Sequence, residues 1–385
     1  MVQKGDAFYL TACGSDLWRA PHPLGPWTLL GKIRDEHGQL TRWDDPMLFV
    51  DDDDGSLYCY NGLGREGIYV VKLRDDDPTR WAGPRVHCFA FDPELRWERM
   101  GESNTRTDRS YLEGAWAHRR GGKYYLVYSA PATEQKNYSL GCYVADTPTG
   151  PWTYQRRNPI LSGRGGLING TGHGAIVAGP RGTLWAVYTT LVRIDNVYER
   201  RVAMDPAGFD AEGNFFIAGP TEAPQLAPGA SPHPERGNDA GWRPVSFDVM
   251  PRASSQAEGR EAQYANDNVI RTWWEAAGPA PQRLHYDLGT DYPIRACRAL
   301  FADRGLDYDH GVVPGPYRYV IEGSLDDKVW FPLLDQSQNT IDRHIAYDVV
   351  PEPRNARYLR LTVLEAPQGL RIGVWEFTAF AEVSP

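Results

Sequence analysis

Long apolar runs are missing from this sequence, and so is any segment typical of a secretory signal. No stretch reaches about 18 consecutive apolar residues, the length that a membrane-spanning helix requires. The opening residues, MVQKGDAFYL, lack a charged start followed by an apolar core. We therefore expect no membrane span and a cytoplasmic location, unless a longer native N-terminus directs the protein to the periplasm or out of the cell.

Cysteine and positive charge are also scarce. The five cysteines are widely spaced and form no CxxC pair, which argues against a zinc site or a dense disulfide framework. We expect all of them to be buried thiols: Cys13, Cys59, Cys88, Cys142 and Cys297. The net charge of −9 and a pI of about 5.5 argue against the concentrated basic face of a nucleic-acid binder, so neutral ligands such as sugars fit better.

Aromatic and turn residues are abundant instead. The chain has 13 Trp, 21 Tyr and 12 Phe, and its 39 Gly and 30 Pro are spread along the whole length. This usage is typical of a turn-rich all-β protein. At 385 residues the chain is long enough for two domains, each with its own core.

One local pattern, a glycine turn followed by an alternating aromatic strand, occurs five times. The copies are KGDAFYLTA, DDGSLYCYNG, RGGKYYLVYSA, PRGTLWAVYTT and AEGNFFIAGP, with their turns at Gly5, Gly55, Gly122, Gly182 and Gly213. Five hairpins predict a five-bladed β-propeller. The alternative is a set of unrelated hairpins in a sandwich or barrel. A second echo, LGPWTLLG at 24–31 and TGPWTYQR at 149–156, predicts outer blade segments.

Three proton-active side chains share one register ahead of these turns. Asp45, Glu113 and His173 each lie nine or ten residues before the turn glycine of their own hairpin. In a propeller the first strands of the blades run beside the central axis, so residues at their starts converge at one end of the tunnel. The register therefore predicts a common site.

The segments WDDPMLFVDDDDG, YLEGAWAHRRGG and NGTGHGAIVAGPRG resemble the blade motifs of glycoside hydrolase family 43, whose order the span 1–228 follows. This resemblance implies an inverting glycosidase, in which a carboxylic acid and a carboxylate base act on opposite faces of the sugar, about 6.5–9.5 Å apart. It implies that Glu113 is the general acid. Asp45 would raise the pKa of that acid and orient it.

The resemblance also implies residues that bind the sugar. Arg201 would bind sugar hydroxyls through its rigid, planar guanidinium group. Two alternatives stay open: the neighbouring Arg200 binds the sugar instead, or Arg201 forms a surface ion pair with Glu199 or Asp205. His173 matches a tunnel histidine that helps to hold a hydrated calcium ion in some members; otherwise it is a core residue. The aromatic residues beside the acids are expected to form an apolar floor for the sugar ring: Trp43, Tyr111 and Trp116.

The same register places the site residue of the first repeat nine or ten positions before Gly5, outside this sequence. The resemblance puts the catalytic base aspartate there, and the first blade is expected to lack its innermost strand. Three explanations stay open. The start can be placed too late, the chain can be an inactive glycan-binding protein, or Asp44 or another residue can serve as the base.

A segment rich in Pro and Gly, residues 229–242, predicts a linker, and the region 243–385 predicts an antiparallel β-sandwich. The strand-like segments are PVSFDV, RLHYDLG, CRALFAD, YRYVIEGSLD, ARYLRLTVL and VWEFTAFAEV. Together with ASSQAEGREAQYANDNVIRTWWEA, they resemble the discoidin, or coagulation factor 5/8 type C, fold, which serves many glycosidases as a carbohydrate-binding module.

That second resemblance implies a structural calcium ion held by carbonyl and carboxylate oxygens. Its ligands would be Ala265, Asp267, Thr272 and Glu376; the alternative is a loop held by hydrogen bonds alone. Tyr308 and Tyr317 are candidate exposed aromatics for sugar contact. Taken together, the sequence predicts release of terminal pentose or furanose sugars from an oligosaccharide or polysaccharide. The candidate activities are β-xylosidase, α-L-arabinofuranosidase and β-galactofuranosidase.

Overall fold

A computed structural model of the chain describes residues 1–163, 165–191, 200–232, 237–307, 310, 315–343 and 345–383. The polypeptide divides into two compact units, Met1–Thr221 and Glu222–Pro385. Both units are built from β-strands, and within the described ranges the helical segments are short 3-10 turns: Arg96–Glu98, Pro180–Gly182 and Ala262–Ala265. None of them approaches the length and hydrophobicity that a bilayer crossing requires.

The first unit contains four antiparallel sheets in a propeller-like arrangement, each formed by strands consecutive in sequence. The first two sheets comprise β1 (Val2–Lys4), β2 (Ala7–Thr11), β3 (Asp16–Ala20) and β4 (Thr28–Lys32), then β5 (Met47–Val50), β6 (Leu57–Asn61), β7 (Ile68–Lys72) and β8 (Val86–Phe89). The third comprises β9 (Glu113–Arg120), β10 (Lys123–Ala130), β11 (Ser139–Ala145) and β12 (Thr153–Tyr154), with β13 (Leu161–Ser162) paired to β11. The fourth comprises β14 (Asn169–Ala178), β15 (Leu184–Leu191), β16 (Arg200–Phe209) and β17 (Phe215–Ile217).

The described residues therefore form four blades, and the predicted number of five is not confirmed. Four of the glycine turns join the first and second strands of a sheet, as predicted. The turn at Gly213 instead joins β16 to β17, the last two strands of the fourth sheet. The first sheet also has its first strand, although β1 is only three residues long, where a missing strand was expected.

Aromatic and aliphatic side chains fill the spaces between neighbouring sheets. In β10 every residue after Lys123 is buried, because the strand packs against a neighbouring sheet on each of its faces. A continuous apolar run is the expected signature of such a doubly covered strand. Blade packing thus explains the sequence KYYLVYSA.

The two GPW segments occupy equivalent outer positions. Gly25–Pro26 precedes β4, the last strand of the first sheet, and Gly150–Pro151 precedes β12, at the edge of the third sheet. Trp152 packs between blades against Tyr60, with their ring centroids 6.3 Å apart. The predicted outer segments are therefore present.

The second unit is a β-sandwich in which eight strands are connected through pairing, in the order β18-β25-β21-β24-β22-β23, with β19 on β21 and β20 on β25. The strands are β18 (Trp242–Pro244), β19 (Arg252–Ala253), β20 (Trp274–Glu275), β21 (Gln282–Phe301), β22 (Arg318–Ser324), β23 (Trp330–Gln336), β24 (Ile345–Glu365) and β25 (Gly373–Glu382). Leu284, Tyr286 and Leu288 face the core, whereas the residues between them face outward, the alternation expected of a strand with one buried face.

Several predicted details of this unit are wrong. RLHYDLG and CRALFAD belong to one long strand, β21, whose register shifts twice along its pairing with β24. Of PVSFDV only Pro244 lies in a strand. Tyr317, expected to be exposed, is 2% exposed because its ring stacks on Phe301 with centroids 4.1 Å apart. Tyr308 lies outside the described residues.

Candidate active site

The three residues that share a register lie at or near the starts of the first strands of successive sheets. Asp45 precedes β5, Glu113 is the first residue of β9, and His173 lies in β14. The Nδ1 atom of His173 is 3.9 Å from a carboxylate oxygen of Asp45. A Cβ atom on Gly114 would lie 3.3 Å from the His173 ring, so this glycine allows the ring to approach the backbone beside Glu113. The structure thus brings all three together.

Glu113 is a buried carboxyl group with one strong neutral partner. The residue is 8% exposed, and the hydroxyl of Tyr138 donates to Glu113 Oε1 at 2.6 Å. Burial raises the pKa of Glu113 to about 7, since desolvation disfavours the charged form; the Tyr138 hydrogen bond lowers that pKa and the charge of Asp45 raises it further. Near neutral pH this carboxyl group can therefore hold or release a proton.

Tyr138 is held against Glu113 by close packing. It is fully buried, and a Cβ atom on Gly172 would lie 2.1 Å from its ring. Only a glycine at position 172 leaves room for the ring. Sequence reasoning missed Tyr138 because it precedes β11, the third strand of its sheet, and shares no register with the other site residues.

Both Asp45 and His173 have left-handed backbone conformations, with φ angles of 46° and 47°. Such angles are uncommon for residues other than glycine and persist where surrounding contacts hold them. The backbone N–H of His173 donates to Ser129 Oγ at 2.8 Å, within a bulge of the β14–β15 pairing. These constraints fix the directions in which the two side chains leave the backbone.

The arginine next to the predicted one is electrostatically linked to Glu113. Arg200 donates to the hydroxyl of Thr133, and its charge lowers the pKa of Glu113, although by less than the other influences. Arg201 donates to the carbonyl oxygen of Arg200 at 3.2 Å. Of the alternative pairs for Arg201, Asp205 accepts a hydrogen bond from the Tyr188 hydroxyl, and Glu199 lies outside the described residues.

The expected aromatic floor is only partly supported. Trp43 is 1% exposed and packs edge-on against Trp81 in the core between the first two sheets, so it offers no ring face to a ligand. Trp116 is half-buried and donates through its indole N–H to the carbonyl of Ile176 at 3.0 Å. Tyr111 is half-buried, and its hydroxyl accepts a hydrogen bond from Arg109.

Cys13 was expected to be buried and is exposed. Its Sγ atom lies 3.9 Å from a carboxylate oxygen of Asp45, so the loop after β2 borders the site. The cysteine spacing carried no signal of this position. Cys59, Cys142 and Cys297 are buried, as predicted, whereas Cys88 is only half-buried.

In the second unit, two of the predicted calcium ligands are hydrogen-bonded to each other, and a third is a buried carboxyl group with a raised pKa. The hydroxyl of Thr272 donates to Asp267 Oδ2 at 2.7 Å, and Glu376 accepts from the backbone N–H of Asn268 at 3.0 Å. Glu376 is 4% exposed, and its burial raises its pKa to about 8. Within the described ranges, no group of three or more His, Cys, Asp or Glu side chains is arranged to hold a metal ion.

Comparison with known proteins identifies both units. The model of the glycosyl hydrolases family 43 matches residues 3–215, more than half of the chain. The chain belongs to glycosyl hydrolase family 43. The model of the F5/8 type C domain matches residues 252–383, within the sandwich. The first unit therefore carries the family 43 domain, and the second carries the F5/8 type C domain.

Individual relatives of this family 43 chain are distant. A β-D-galactofuranosidase of Aspergillus niger is 28% identical over 40% of this chain and 46% of its own length. A xylosidase/arabinosidase of Bacteroides ovatus is 39% identical over 34% and 44%. An arabinoxylan arabinofuranohydrolase of Paenibacillus polymyxa is 31% identical over 40% and 25%. The chain thus spans between a quarter and about half of the length of these curated relatives.

Among solved structures, a thermostable family 43 glycoside hydrolase is similar to this chain. The two are 28% identical with a TM-score of 0.50, over 60% of this chain and 77% of that one. The share of this chain that the likeness covers is comparable to the share that its first unit, Met1–Thr221, occupies.

Proposed function

We propose that this chain is an inverting glycosidase that releases a terminal pentose or furanose residue, with Glu113 as the general acid. The observation that carries the proposal is the environment of Glu113, whose pKa of about 7 lets a carboxyl group stay protonated near neutral pH. A general acid must hold a proton until the glycosidic oxygen needs it. The names of the curated relatives support a pentose or furanose, and leave several sugars open.

In the proposed reaction, Glu113 donates its proton to the leaving glycosidic oxygen while the bond from that oxygen to the anomeric carbon breaks. Tyr138, whose hydroxyl is bonded to Oε1, holds the carboxyl group in one orientation. The negative charge of Asp45 favours the protonated form of Glu113 and stabilises positive charge that develops on the sugar ring. Arg200 or Arg201 would contact the sugar hydroxyls.

The base that activates water is the open part of the mechanism. Asp44 is one candidate, and its carboxylate lies 3.5 Å from Arg42 Nε. The second candidate function is a glycan-binding propeller with impaired catalysis.

A panel of nitrophenyl glycosides tests the proposal. We expect turnover of a β-xyloside, an α-L-arabinofuranoside or a β-galactofuranoside, with an inverted product by NMR, and we expect Glu113→Gln to lose activity on alkyl glycosides of the same sugar, whose leaving groups need a proton. Adding azide tests whether the catalytic base is missing. A chain without a base should accelerate with azide and form a glycosyl azide of inverted configuration, since azide attacks the anomeric carbon without deprotonation. Binding without turnover under either condition would favour the glycan-binding function.

We further propose that the second unit binds a structural calcium ion through Ala265, Asp267, Thr272 and Glu376. The donors fit, because calcium prefers carbonyl, hydroxyl and carboxylate oxygens and the positive ion would offset the cost of burying the Glu376 carboxylate. A hydrated calcium ion near His173 is a separate proposal. Metal analysis of the chain, with His173→Ala and Glu376→Gln compared, would count the ions and assign them.

A further inference from the structure

The loop between β10 and β11, residues 131–137, lies beside the proposed acid and carries a carboxylate that the mechanism above does not use. Both ends of this loop are fixed at Glu113. Ser129, near the end of β10, lies directly opposite Glu113 in the strand pairing. Tyr138, which follows the loop, donates through its hydroxyl to Glu113 Oε1 at 2.6 Å. We call residues 131–137 the acid loop, because the chain leaves Glu113 and returns to it.

Neighbouring segments of the site hold the acid loop in place. Three hydrogen bonds tie it to them: the Tyr111 N–H to the carbonyl of Pro131 at 2.7 Å, the Gly170 N–H to the carbonyl of Lys136 at 2.7 Å, and the Arg200 guanidinium to the hydroxyl of Thr133. The first two segments lead into Glu113 and His173 respectively. A loop held at several points presents its side chains in fixed directions, which reduces the entropy lost when a ligand binds.

Glu134 lies in the middle of the acid loop, directly after the threonine that Arg200 contacts. Its side chain is half-buried, and within the described part of the chain its carboxylate accepts no hydrogen bond and pairs with no cation. Its charge acts on the acid: burial raises the pKa of Glu113, and the charges of Asp45 and Glu134 raise it further. A carboxylate without a partner in the protein is ready to accept hydrogen bonds from a ligand.

The position of Glu134 relative to the acid decides which part of a substrate it can reach. In an inverting glycosidase the general acid lies beside the leaving group, and the attacking water lies on the opposite face of the sugar. Glu134 is on a loop of the sheet that contains Glu113, whereas Asp45 and His173 are positioned by strands of other sheets. Glu134 is therefore on the side of the leaving group.

We propose that Glu134 binds the sugar residue that leaves, by accepting hydrogen bonds from two adjacent hydroxyls of a neutral sugar. The two oxygens of a carboxylate can accept from both hydroxyls at once, and a charged acceptor forms stronger hydrogen bonds than a neutral one. This role rests on the proposed function, since it takes Glu113 as the group that protonates the leaving oxygen. Glu134 would then favour substrates in which the terminal sugar is attached to another sugar.

Binding is measured by calorimetry in Glu113→Gln, which keeps the shape of the acid but cannot protonate the leaving oxygen. The probes are methyl glycosides of the three candidate sugars and the matching disaccharides, in which a xylose residue replaces the methyl group. We expect at least one disaccharide to bind at least ten-fold more tightly than its methyl glycoside. The absence of such a preference in all three pairs would overturn the proposal.

A second substitution assigns the preference to one residue. Adding Glu134→Gln to the same background should reduce the preference for the disaccharide at least five-fold. The matched control, Glu212→Gln, removes an exposed carboxylate of the same unit and should preserve it. A preference that survives in Glu134→Gln would contradict the proposal. The comparison of disaccharide with methyl glycoside needs only Glu113→Gln, so it remains decisive if the double variant unfolds.

A titration of Glu113 gives a readout that requires neither ligand nor turnover. Glu134→Gln removes a charge that raises the pKa of Glu113, so the midpoint of Glu113 should fall, whereas Glu212→Gln should leave it unchanged. An unchanged midpoint in Glu134→Gln would show that Glu134 does not face the acid, and would overturn the proposed role.

Turnover of nitrophenyl glycosides separates this proposal from the proposed function. Turnover without a disaccharide preference would overturn the role of Glu134 and leave the hydrolase in place. A preference that depends on Glu134, in a chain without turnover, would do the reverse. If Glu134→Gln abolishes turnover and azide restores it, Glu134 is the catalytic base and its proposed role at the leaving group is wrong.

Discussion

Glu113 in the propeller unit and Glu376 in the sandwich unit are both buried carboxyl groups whose pKa is raised mainly by desolvation, to about 7 and about 8 respectively. Their partners differ. Glu113 accepts a hydrogen bond from the side-chain hydroxyl of Tyr138, whereas Glu376 accepts one from the backbone N–H of Asn268. Burial alone therefore does not identify a functional carboxyl group, and the neighbours decide whether it exchanges a proton or binds an ion.

Glu98 adds a third case without an obvious chemical task. It is fully buried, its pKa is raised to about 7 by burial, and it accepts hydrogen bonds from the Tyr128 hydroxyl and from the backbone N–H of Asp92. The charge of Asp92 raises the pKa of Glu98 further, as the charge of Asp45 raises that of Glu113. We interpret Glu98 as a structural bridge.

The largest expected effect comes from removing the proposed acid. Glu113→Gln should reduce kcat by about 10²–10⁴-fold on alkyl glycosides, whose leaving groups need a proton, and by less on nitrophenyl glycosides, whose leaving groups do not. Glu376→Gln, assayed with the same substrates, should retain activity. Equal loss in both variants would mean that the two sites do not differ in the way described above.

The next effect concerns the pH profile of kcat. A general acid must be protonated, so activity should fall as pH rises through the pKa of Glu113, about 7. Asp45→Asn removes a charge that raises this pKa, so the alkaline limb should move to lower pH. Tyr138→Phe removes a hydrogen bond that lowers it, so the limb should move to higher pH. Shifts in the same direction in both variants would contradict these assignments.

Calcium should affect the stability of the sandwich unit rather than turnover. A ligand at 100 times its Kd stabilises the folded state by about 2.7 kcal/mol, which scanning calorimetry resolves as a rise in Tm. Wild type should show this rise and Glu376→Gln should not. The control is Glu365→Gln, since Glu365 is exposed and paired with Arg318. A Tm insensitive to calcium in wild type would refute the proposed ion.

The smallest effect concerns Glu98. Its folded-state pKa of about 7 lies above the usual value of 4.5, so the folded state holds the proton more tightly. The contribution of Glu98 to stability should therefore be fully present below about pH 4.5 and should be lost as pH rises toward 7, by at most about 1.4 kcal/mol per pH unit for one proton. Denaturant titrations at several pH values should show that the free energy of unfolding depends less steeply on pH in Glu98→Gln than in the exposed control Glu94→Gln.

Sequence spacing predicted the position of a site residue where that position is set by a single strand and the turn that follows it. The register that joined Asp45, Glu113 and His173 holds because each lies near the start of a first strand, and the turn that follows fixes its distance. The same turn signal could not count blades, because the turn at Gly213 is locally identical to the others and differs only in joining the third and fourth strands.

Burial depended on tertiary contacts that no local pattern reports. Trp43 lies beside the site residue Asp45 in sequence, yet its side chain packs into the core between two sheets. Tyr317 looked exposed in a polar loop and stacks on Phe301. Tyr138 became visible only when the structure showed that Gly172 makes space for its ring. Each of these residues is defined by a neighbour distant in sequence.

The most direct test of the account is the titration of Glu113 itself. Carbon-13 NMR of the side-chain carboxyl groups in protein labelled at glutamate, assigned by the signal lost in Glu113→Gln, gives the midpoint without a substrate. We predict a midpoint near pH 7 in wild type that falls in Asp45→Asn. A midpoint close to 4.5 in both proteins would show that Glu113 is ionised at neutral pH and cannot serve as the general acid.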